Sequence, residues 1–533
     1  MSRSESFLAN RRNRFFLILM SLATVTQATT YYISPSGNDD HSGTSPSKPW
    51  RTTQNANGIN FTSGDEILFL ANVDHACGTL SIRTQNITNG IPVIISSYGG
   101  TSGQRARLHS DATISAGVIV FSSSGVDISN LDLIGTNTFQ SKQSGVLLYG
   151  DTNETGSRFN SISIHDMSVT GFNIGVFIYS PYCRGYSGVR VSNVLAQNNL
   201  MNGIASDGAM SPSCYSHSDI VIEDSIAFNN TGDPTFLSSN SGSGIVLSDV
   251  DGAVITRCQA SYNGALNGHL GGGPCGIWAW GSRNVTISHS VSNNNFNGFP
   301  PGTPNAQDGD GFDLDGGSSD SVIEYCLSMN NAGPGYLICQ FSGSARETFN
   351  NTVRFSVSYN DGLSVDEPSA GLNFYTPGPP LNSMQIQGNT FVVKNEKTIV
   401  RPMTGGDLAN LQLVNNAFLS LGGEGTTIDF SSLTLGQASN VNVSGNAYWS
   451  SKEGTMRIIW AGGNSYSSLS AFRAATGEEE TKSGVPTGSD SDPQLVNGTN
   501  WFASCLPWLQ SSFLPDIPNS AILDELRGFS GCE

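Results

Sequence analysis

The chain has 533 residues, only 13% of them charged, with 61 glycines and a formal net charge of −18. That acidity argues against nucleic acid or an anionic membrane as a partner, because both are bound through clustered Lys and Arg. The length suits two or three ordinary domains, or one long domain built from repeats.

Residues 1–28 are predicted to form a signal peptide. Basic residues precede an apolar run at 15–25, and a small residue, Ala28, closes the segment. The run is too short to span a bilayer, so we expect a secreted protein with no membrane attachment beyond the cleaved signal. Eight Asn-X-Ser/Thr sequons are consistent with a secreted glycoprotein.

Segments of alternating apolar and polar residues recur along the chain. Their intervals are about 27 to 36 residues, a spacing that indicates strands and one solenoid coil per repeat. The second inward apolar residue of each repeat marks the series: Ile128, Ile164, Val191, Ile222, Ile255, Ile287, Ile323, Val353, Ile386, Leu413 and Val443. Asn-rich corners follow these strands, and stacked amides at such corners predict an asparagine ladder.

A second strand family begins with glycine in each coil, as in "CGIWAWG" and "DGFDLDG". Side chains alternate across a strand, so the first and third residues after each glycine should be buried and the second and fourth should point outward. The outward set contains six aromatic residues and no Lys, Arg or Glu: Leu147, Tyr149, Phe177, Tyr179, Ala205, Asp207, Val246, Ser248, Trp278, Trp280, Asp313, Asp315, Leu337, Cys339, Asn373 and Tyr375.

This pattern of glycine-led strand, short turn, Val-x-Ile strand and Asn-Asn corner resembles the right-handed parallel β-helix proteins of the pectate-lyase-like superfamily. The segment "YYISPSGNDDHSGTSPSKPWRT" at 31–52 is similar to the start of secreted, polysaccharide-degrading members. The resemblance implies an all-β fold, a single-stranded right-handed parallel β-helix of about 11 to 13 coils. We assign the β-helix to residues 29–460 and a C-terminal cap or flap with a short helix to 461–533, and expect a monomer.

The outward residues favour a saccharide groove. Trp278 and Trp280 would form its floor, and Tyr149, Tyr179, Tyr375 and Asp207 would add contacts. The longest loops, at 231–243, 264–274 and 296–307, fall along one edge of this face. The alternative is that these loops cover the aromatic residues as a second core.

The stretch "DGDGFDLDGG" at 308–317 carries four aspartates and allows three interpretations. Asp-Gly repeats shape tight turns. Clustered carboxylates suit Ca²⁺, with Asp308, Asp310, Asp313 and Asp315 as ligands. Two facing carboxyls, Asp313 and Asp315, could also act as acid and base on a glycoside.

The resemblance implies a Ca²⁺-assisted lyase that acts on an acidic, uronate-containing polysaccharide. Its base would be Arg346, Arg283 or His269, with Arg184 and Lys142 as more distant candidates by register. Glycoside hydrolysis by paired aspartates and a non-catalytic, carbohydrate-binding or adhesive solenoid are the alternatives.

Two disulfides are predicted from position. Cys183 and Cys214 lie in equivalent turns of successive coils, and Cys505 and Cys532 share the C-terminal tail.

Overall fold

The chain winds into stacked coils whose strands pair in parallel with the equivalent strands of the coils before and after. The computed structural model describes residues 27–491, except 89, 112–114, 140–141, 153–156, 299–307, 365–368, 395, 405–406, 423–424, 453–455 and 482. Within these residues the chain is an all-β solenoid of about 12 turns. The predicted all-β solenoid is confirmed.

One sheet has 25 strands among the described residues. Most coils contribute two of its strands, which meet at a sharp turn. Its strands are Thr30–Ile33, Glu66–Leu70, Asp74–His75, Val93–Tyr98, Ala106–His109, Val126–Ser129, Leu131–Ile134, Phe159–Thr170, Tyr186–Gln197, His217–Glu223, Ile226–Phe228, Val250–Thr256, Gln259–Ser261, Arg283–Ser288, Val291–Asn293, Val322–Glu324, Leu327–Met329, Thr352–Arg354, Val357–Tyr359, Gln385–Gln387, Thr390–Val393, Leu411–Val414, Ala417–Ser420, Val441–Ser444 and Ala447–Ser450.

The second sheet, here called the glycine-led sheet, has 15 strands within the same described residues. Its last pairing is antiparallel and the others are parallel. Its strands are Asn60–Phe61, Leu80–Thr84, Ala116–Phe121, Ser144–Tyr149, Ile174–Tyr179, Asn202–Asp207, Ser243–Ser248, Ile277–Trp280, Phe312–Leu314, Tyr336–Cys339, Ser369–Tyr375, Thr398–Thr404, Ile428–Asp429, Ile458–Trp460 and Asn464–Tyr466.

The remaining elements are short. Leu381–Asn382 and Leu408–Ala409 pair as a two-stranded sheet, Ala56–Gly58 and Ala461–Gly463 are 3-10 helices, and Leu435–Ala438 and Leu469–Thr476 are α-helices. Across the described part of the chain, no helix has the length and apolar character needed to cross a bilayer.

The leading glycines are required by close approach between coils. A Cβ on Gly175 would lie 2.4 Å from the carbonyl oxygen of Gly203, and one on Gly244 would lie 2.4 Å from that of Gly276. The residues that follow point alternately inward and outward. The predicted inward residues are all buried, among them Ile245, Ile277, Phe312 and Leu372. The register predicted from the glycines is therefore confirmed.

A buried asparagine ladder runs along one corner of the stack. Each side-chain amide donates to the amide oxygen in the next coil at 2.9 to 3.0 Å, through Asn199, Asn230, Asn263, Asn295 and Asn331. Asp361 accepts the last of these bonds at 2.9 Å. The ladder thus satisfies polar groups that would otherwise be buried without partners.

A second ladder closes the C-terminal end. Asn389, Asn416 and Asn446 are linked in the same way, and buried Glu479 accepts from the amide of Asn446 and the hydroxyl of Tyr448. The Cys183–Cys214 disulfide is present as predicted. The predicted Cys505–Cys532 pair lies outside the described residues, as do residues 1–26 of the predicted signal peptide.

Removal of one ladder amide should destabilise the stack. Asn263 bonds to Asn230, Asn295 and the carbonyl of Ala227, so Asn263→Ala leaves several buried groups without partners. We expect the free energy of unfolding, measured with denaturant, to fall by roughly 1–3 kcal/mol for each buried group left without a partner. Exposed Asn442 is the control, and Asn442→Ala should change stability by less than about 0.5 kcal/mol. Equal stability of the two variants would contradict a stabilising ladder.

The ion pairs of His165 with Asp127 and Asp166 on the outside of the solenoid make the stability of the fold depend on pH. Hydrogen bonding to Asp127 raises the pKa of His165 to about 9, and a bond to Asp166 adds to the effect. The charged imidazole therefore stabilises the folded state below the ordinary pKa of about 6.5, and this contribution is lost as pH rises through about 9. The stability difference between wild type and His165→Gln should be largest near pH 6 and shrink toward pH 10. A difference that grows with pH would contradict this assignment.

Candidate active site

Three columns of side chains point away from the core on the glycine-led sheet. Two are the predicted outward columns: Trp278 aligns with Val246 and Asp313, and Trp280 with Ser248. The third holds the residue before each leading glycine, including Ile174, Asn202, Ser243, Cys275 and Asp310. Asp310 lies in the loop that precedes the strand Phe312–Leu314. Sequence reasoning did not identify this column. The column could have been found in the sequence by aligning the residue immediately before the leading glycine of each coil.

The columns form one side of a cleft of about 840 Å³. Aromatic rings and short polar side chains alternate in its wall. The lining residues are Ile174, Phe177, Met201, Asn202, Ala205, Ser206, Asp207, Ser239, Asn240, Val246, Ser248, Gly271, Gly272, Trp278, Trp280, Asp308, Asp313, Asp315, Leu337, Cys339, Phe341 and Tyr375. Of the predicted contact residues, the cleft therefore brings together Trp278, Trp280, Tyr375 and Asp207.

Loops cover part of this face. Trp278 is only 6% exposed and Asp313 only 2%, although both lie in the outward columns of the sheet. Trp278 packs in a second apolar cluster with Ile174, Val246 and Cys275. This cluster is made by side chains of the sheet columns and Met201, and the cleft lies beside it. The saccharide groove stays a prediction.

Asp308 and Asp315 are the more accessible acids of the stretch at 308–317, since both are partly exposed in the cleft. Asp308 accepts a hydrogen bond from the backbone N–H of Gly273 at 2.5 Å. Burial raises the pKa of Asp308 to about 7, and the charge of Asp315 adds to that rise. Asp315 accepts from the N–H of Gly316 at 2.6 Å and from the thiol of Cys339. Burial also raises the pKa of Asp315.

Asp313 lies deeper. Burial raises its pKa well above the ordinary value, and the neighbouring carboxylates of Asp315, Asp310 and Asp308 act in the same direction. One carboxylate oxygen each of Asp310 and Asp313 and the sulfur of Cys275 all lie within 4.8 Å of one another. Asp308 and Asp315 are not members of this group.

The donor set of this group does not fit Ca²⁺ well. Calcium takes six to eight oxygen ligands in proteins, whereas Cys275 offers a soft sulfur atom. The predicted four-aspartate Ca²⁺ site stays a prediction.

Tyr149 and Tyr179 continue the outward face beyond the cleft. Their rings stack on successive coils with centroids 5.7 Å apart, and Phe177, a lining residue, lies 5.4 Å from Tyr179. The two tyrosines are not lining residues themselves. They extend the aromatic surface of the cleft along the axis of the solenoid.

Neither predicted arginine base lines the cleft. Arg346 donates to the carbonyls of Gly281, Ser211 and Cys214 and forms a 2.7 Å ion pair with Asp249. Arg283, which is exposed, pairs with partly buried Asp251 through two short bonds. The geometry corrects the expectation for both residues, because their guanidinium groups are held by other partners.

The other candidate bases are also outside the lining. His269 lies in the loop beside the cleft, and its Nδ1 is 3.0 Å from the carbonyl oxygen of Gly272. Arg184 donates to the carbonyl of Ser157, and Lys142 is exposed. Among the described residues, the cleft therefore has no Lys or Arg in its wall.

Residues 233–400 match the family model described as "Right handed beta helix region". Over these residues the parallel coils described above are those of a right-handed β-helix. No curated protein matches it by sequence.

Solved structures similar to this β-helix include a GH136 lacto-N-biosidase from Eubacterium ramulus, with 15% identity, coverage of 70% of this chain and 68% of that chain, and a TM-score of 0.48. The A-module of the mannuronan C-5 epimerase AlgE4 from Azotobacter vinelandii has 13% identity, coverage of 66% and 86%, and a TM-score of 0.45. The pectate lyase Pel9A has 17% identity, coverage of 68% and 78%, and a TM-score of 0.38. At this level the likeness carries no information about activity.

Because Arg346 forms a buried ion pair, its removal should lower the stability of the fold. Arg346→Ala leaves the fully buried carboxylate of Asp249 without its ion-pair partner, which costs about 3–5 kcal/mol. The matched control is Arg283→Ala, which breaks an exposed pair worth about 1 kcal/mol or less. Denaturant unfolding of both variants measures the difference. Equal, small losses would contradict a buried structural role for Arg346.

Proposed function

We propose that this protein is a glycoside hydrolase that cleaves a neutral glycan in the cleft. The observation that carries the proposal is the meeting of two partly exposed carboxyls, Asp308 and Asp315, with two tryptophans in one concave site. Paired carboxyls are the groups that most glycoside hydrolases use. The resemblance to polysaccharide-degrading β-helix proteins points to the same class of substrate.

The wall of the cleft contains aromatic rings and amides, which are groups that bind sugars. Trp278, Trp280 and Tyr375 supply ring faces, which stack on the apolar faces of pyranose rings, while Asn202 and Asn240 supply amides for hydroxyl groups. The indole Nε1 of Trp278 is buried without a hydrogen-bond partner among the described residues. A sugar hydroxyl would satisfy this donor.

The charges favour a neutral glycan over a uronate polymer. Asp207, Asp308, Asp313 and Asp315 all line the cleft. A carboxylate-bearing substrate would find neither Lys nor Arg in the described wall to pair with its charge, and a charge without a partner is costly to bury. The arginines that a lyase would use as a base are held elsewhere. These observations support hydrolysis over the elimination that the resemblance implies.

Asp308 and Asp315 are assigned the two roles because a catalytic residue must touch the substrate. Asp308 would protonate the leaving oxygen as the general acid. Asp315, held by the N–H of Gly316 and the thiol of Cys339, would act as the second carboxylate. Asp313 lies behind them and is not assigned to the acid–base pair.

The site of action is proposed to be outside the cell, on the basis of the signal-like residues 1–28. A monomer suffices for the activity, because one chain supplies every proposed contact.

The reaction class can be tested by incubation of the protein with neutral glucans, xylans and mannans and with pectin, alginate and glycosaminoglycans. We expect new reducing ends on a neutral glycan, without the ultraviolet absorbance of an unsaturated uronate. Reducing ends with that absorbance on an acidic polymer would show a lyase and overturn the proposal. Binding without cleavage would show a carbohydrate-binding solenoid.

The two assigned carboxyls can be tested on the cleaved glycan. Asp308→Asn and Asp315→Asn should each lower kcat by roughly 10²–10⁴-fold, the range typical of general acid–base catalysis. Asp40→Asn is the control, because Asp40 is exposed and lies outside the cleft lining. Trp278→Phe keeps a ring but removes the indole N–H, so it should weaken substrate binding more than it lowers kcat. Full activity of both carboxyl variants would exclude the pair.

A further inference from the structure

Behind Asp308 and Asp315, three potential ligand atoms converge in the buried wall of the cleft. The sulfur of Cys275 and one carboxylate oxygen each of Asp310 and Asp313 lie within 4.8 Å of one another. The sulfur is 3.8 Å from Oδ2 of Asp310. All three residues are buried, with exposures of 2% or less.

A separate observation concerns the Asp313 carboxylate alone. Oδ1 of Asp313 is buried, yet it has no hydrogen-bond partner among the described residues. A buried polar atom without a partner costs on the order of 1–3 kcal/mol, and a charged one costs more. Since Asp313 also lines the cleft, a ligand that enters there could reach this oxygen.

The local charges point to a cation. The charged groups that act on both Cys275 and Asp313 are the acids of the same stretch, including Asp308 and Asp315. Neither Lys nor Arg lines the described part of the cleft. Buried carboxylates of this kind are normally paired or bind a metal ion.

The coil geometry builds the group from distant parts of the sequence. Cys275 and Asp310 occupy the same column on successive coils, where the N–H of Gly276 donates to the carbonyl of Asp310 at 2.9 Å. Gly333 leaves space for the Asp310 carboxylate, because a Cβ there would lie 2.1 Å from Oδ1. The position of the three ligand atoms is thus set by the rigid stack.

We propose that Cys275, Asp310 and Asp313 bind one divalent ion of borderline softness, of which Zn²⁺ is the typical case. Zinc accepts both thiolate and carboxylate ligands, whereas the sulfur disfavours Ca²⁺ and Mg²⁺. Three protein ligands leave a further coordination position for water or another ligand. This inference concerns metal binding alone and does not rest on the proposed hydrolysis.

The test uses the full-length protein after metal removal, reloaded with Zn²⁺, Co²⁺ or Ca²⁺ and examined by equilibrium dialysis and absorption spectroscopy. We expect one Zn²⁺ per chain at a site that excess Ca²⁺ does not compete for. Co²⁺ should give a near-ultraviolet thiolate-to-cobalt charge-transfer band. Cys275→Ser should abolish the band and weaken Zn²⁺ binding by at least about tenfold, the smallest loss expected even from outer-shell changes.

The matched control is Cys258→Ser, because Cys258 is an equally buried free cysteine of the core. This variant should keep the band and the affinity for Zn²⁺. A band that survives Cys275→Ser, or wild-type protein that takes up neither Zn²⁺ nor Co²⁺, would overturn the proposal. X-ray absorption at the zinc edge gives a check on wild type that needs no variant: a first shell of one sulfur with oxygens supports the site, and a shell without sulfur refutes it.

Discussion

Each coil of this protein can bury its apolar columns only against the coils before and after it. Strands pair in parallel register from coil to coil through the part of the stack that carries the cleft, so its side-chain columns continue from one coil to the next. The asparagine ladder adds buried hydrogen bonds in the same direction. Because a shift of one residue would exchange the inner and outer columns, this register fixes both the core and the cleft wall.

The same register makes the outer face chemically unusual. Strand pairing and core packing require apolar residues only at the inward positions, so the outward positions can hold residues of many types. Aromatic residues could therefore collect on one coil, at Trp278 and Trp280, and acids on the next, at Asp313 and Asp315. Loop residues Ser239, Asn240, Gly271 and Gly272 complete the wall of the cleft beside these coils. The cleft is thus a product of the stack and of loops added at one edge.

The local sequence pattern was sufficient to predict the elements that repeat from coil to coil. The alternation after each glycine predicted the inward positions, and the equivalent turns of Cys183 and Cys214 predicted their bond. It could not predict the burial of Trp278, because that depends on which side chains of other coils, such as Ile174 and Val246, cluster with the indole. The contacts of Arg346, a predicted candidate base, could not be read from local pattern either, because its partners lie up to 135 residues away in sequence. Cys275 was missed because the glycine that follows it interrupts the simple alternation.

The contacts of Arg346 also bear on how the solenoid would respond to force. A chain pulled from its C-terminal end should release coils one after another, since each coil is held mainly by its neighbours. Arg346, however, connects Ser211, Cys214, Asp249 and Gly281, which belong to earlier coils, and its guanidinium lies 3.9 Å from the ring of Tyr215. Peeling that reaches this residue must break several bonds at once. The segment that carries the cleft would therefore resist extension as one mechanical unit, with a rupture force higher than that of the coils beyond it.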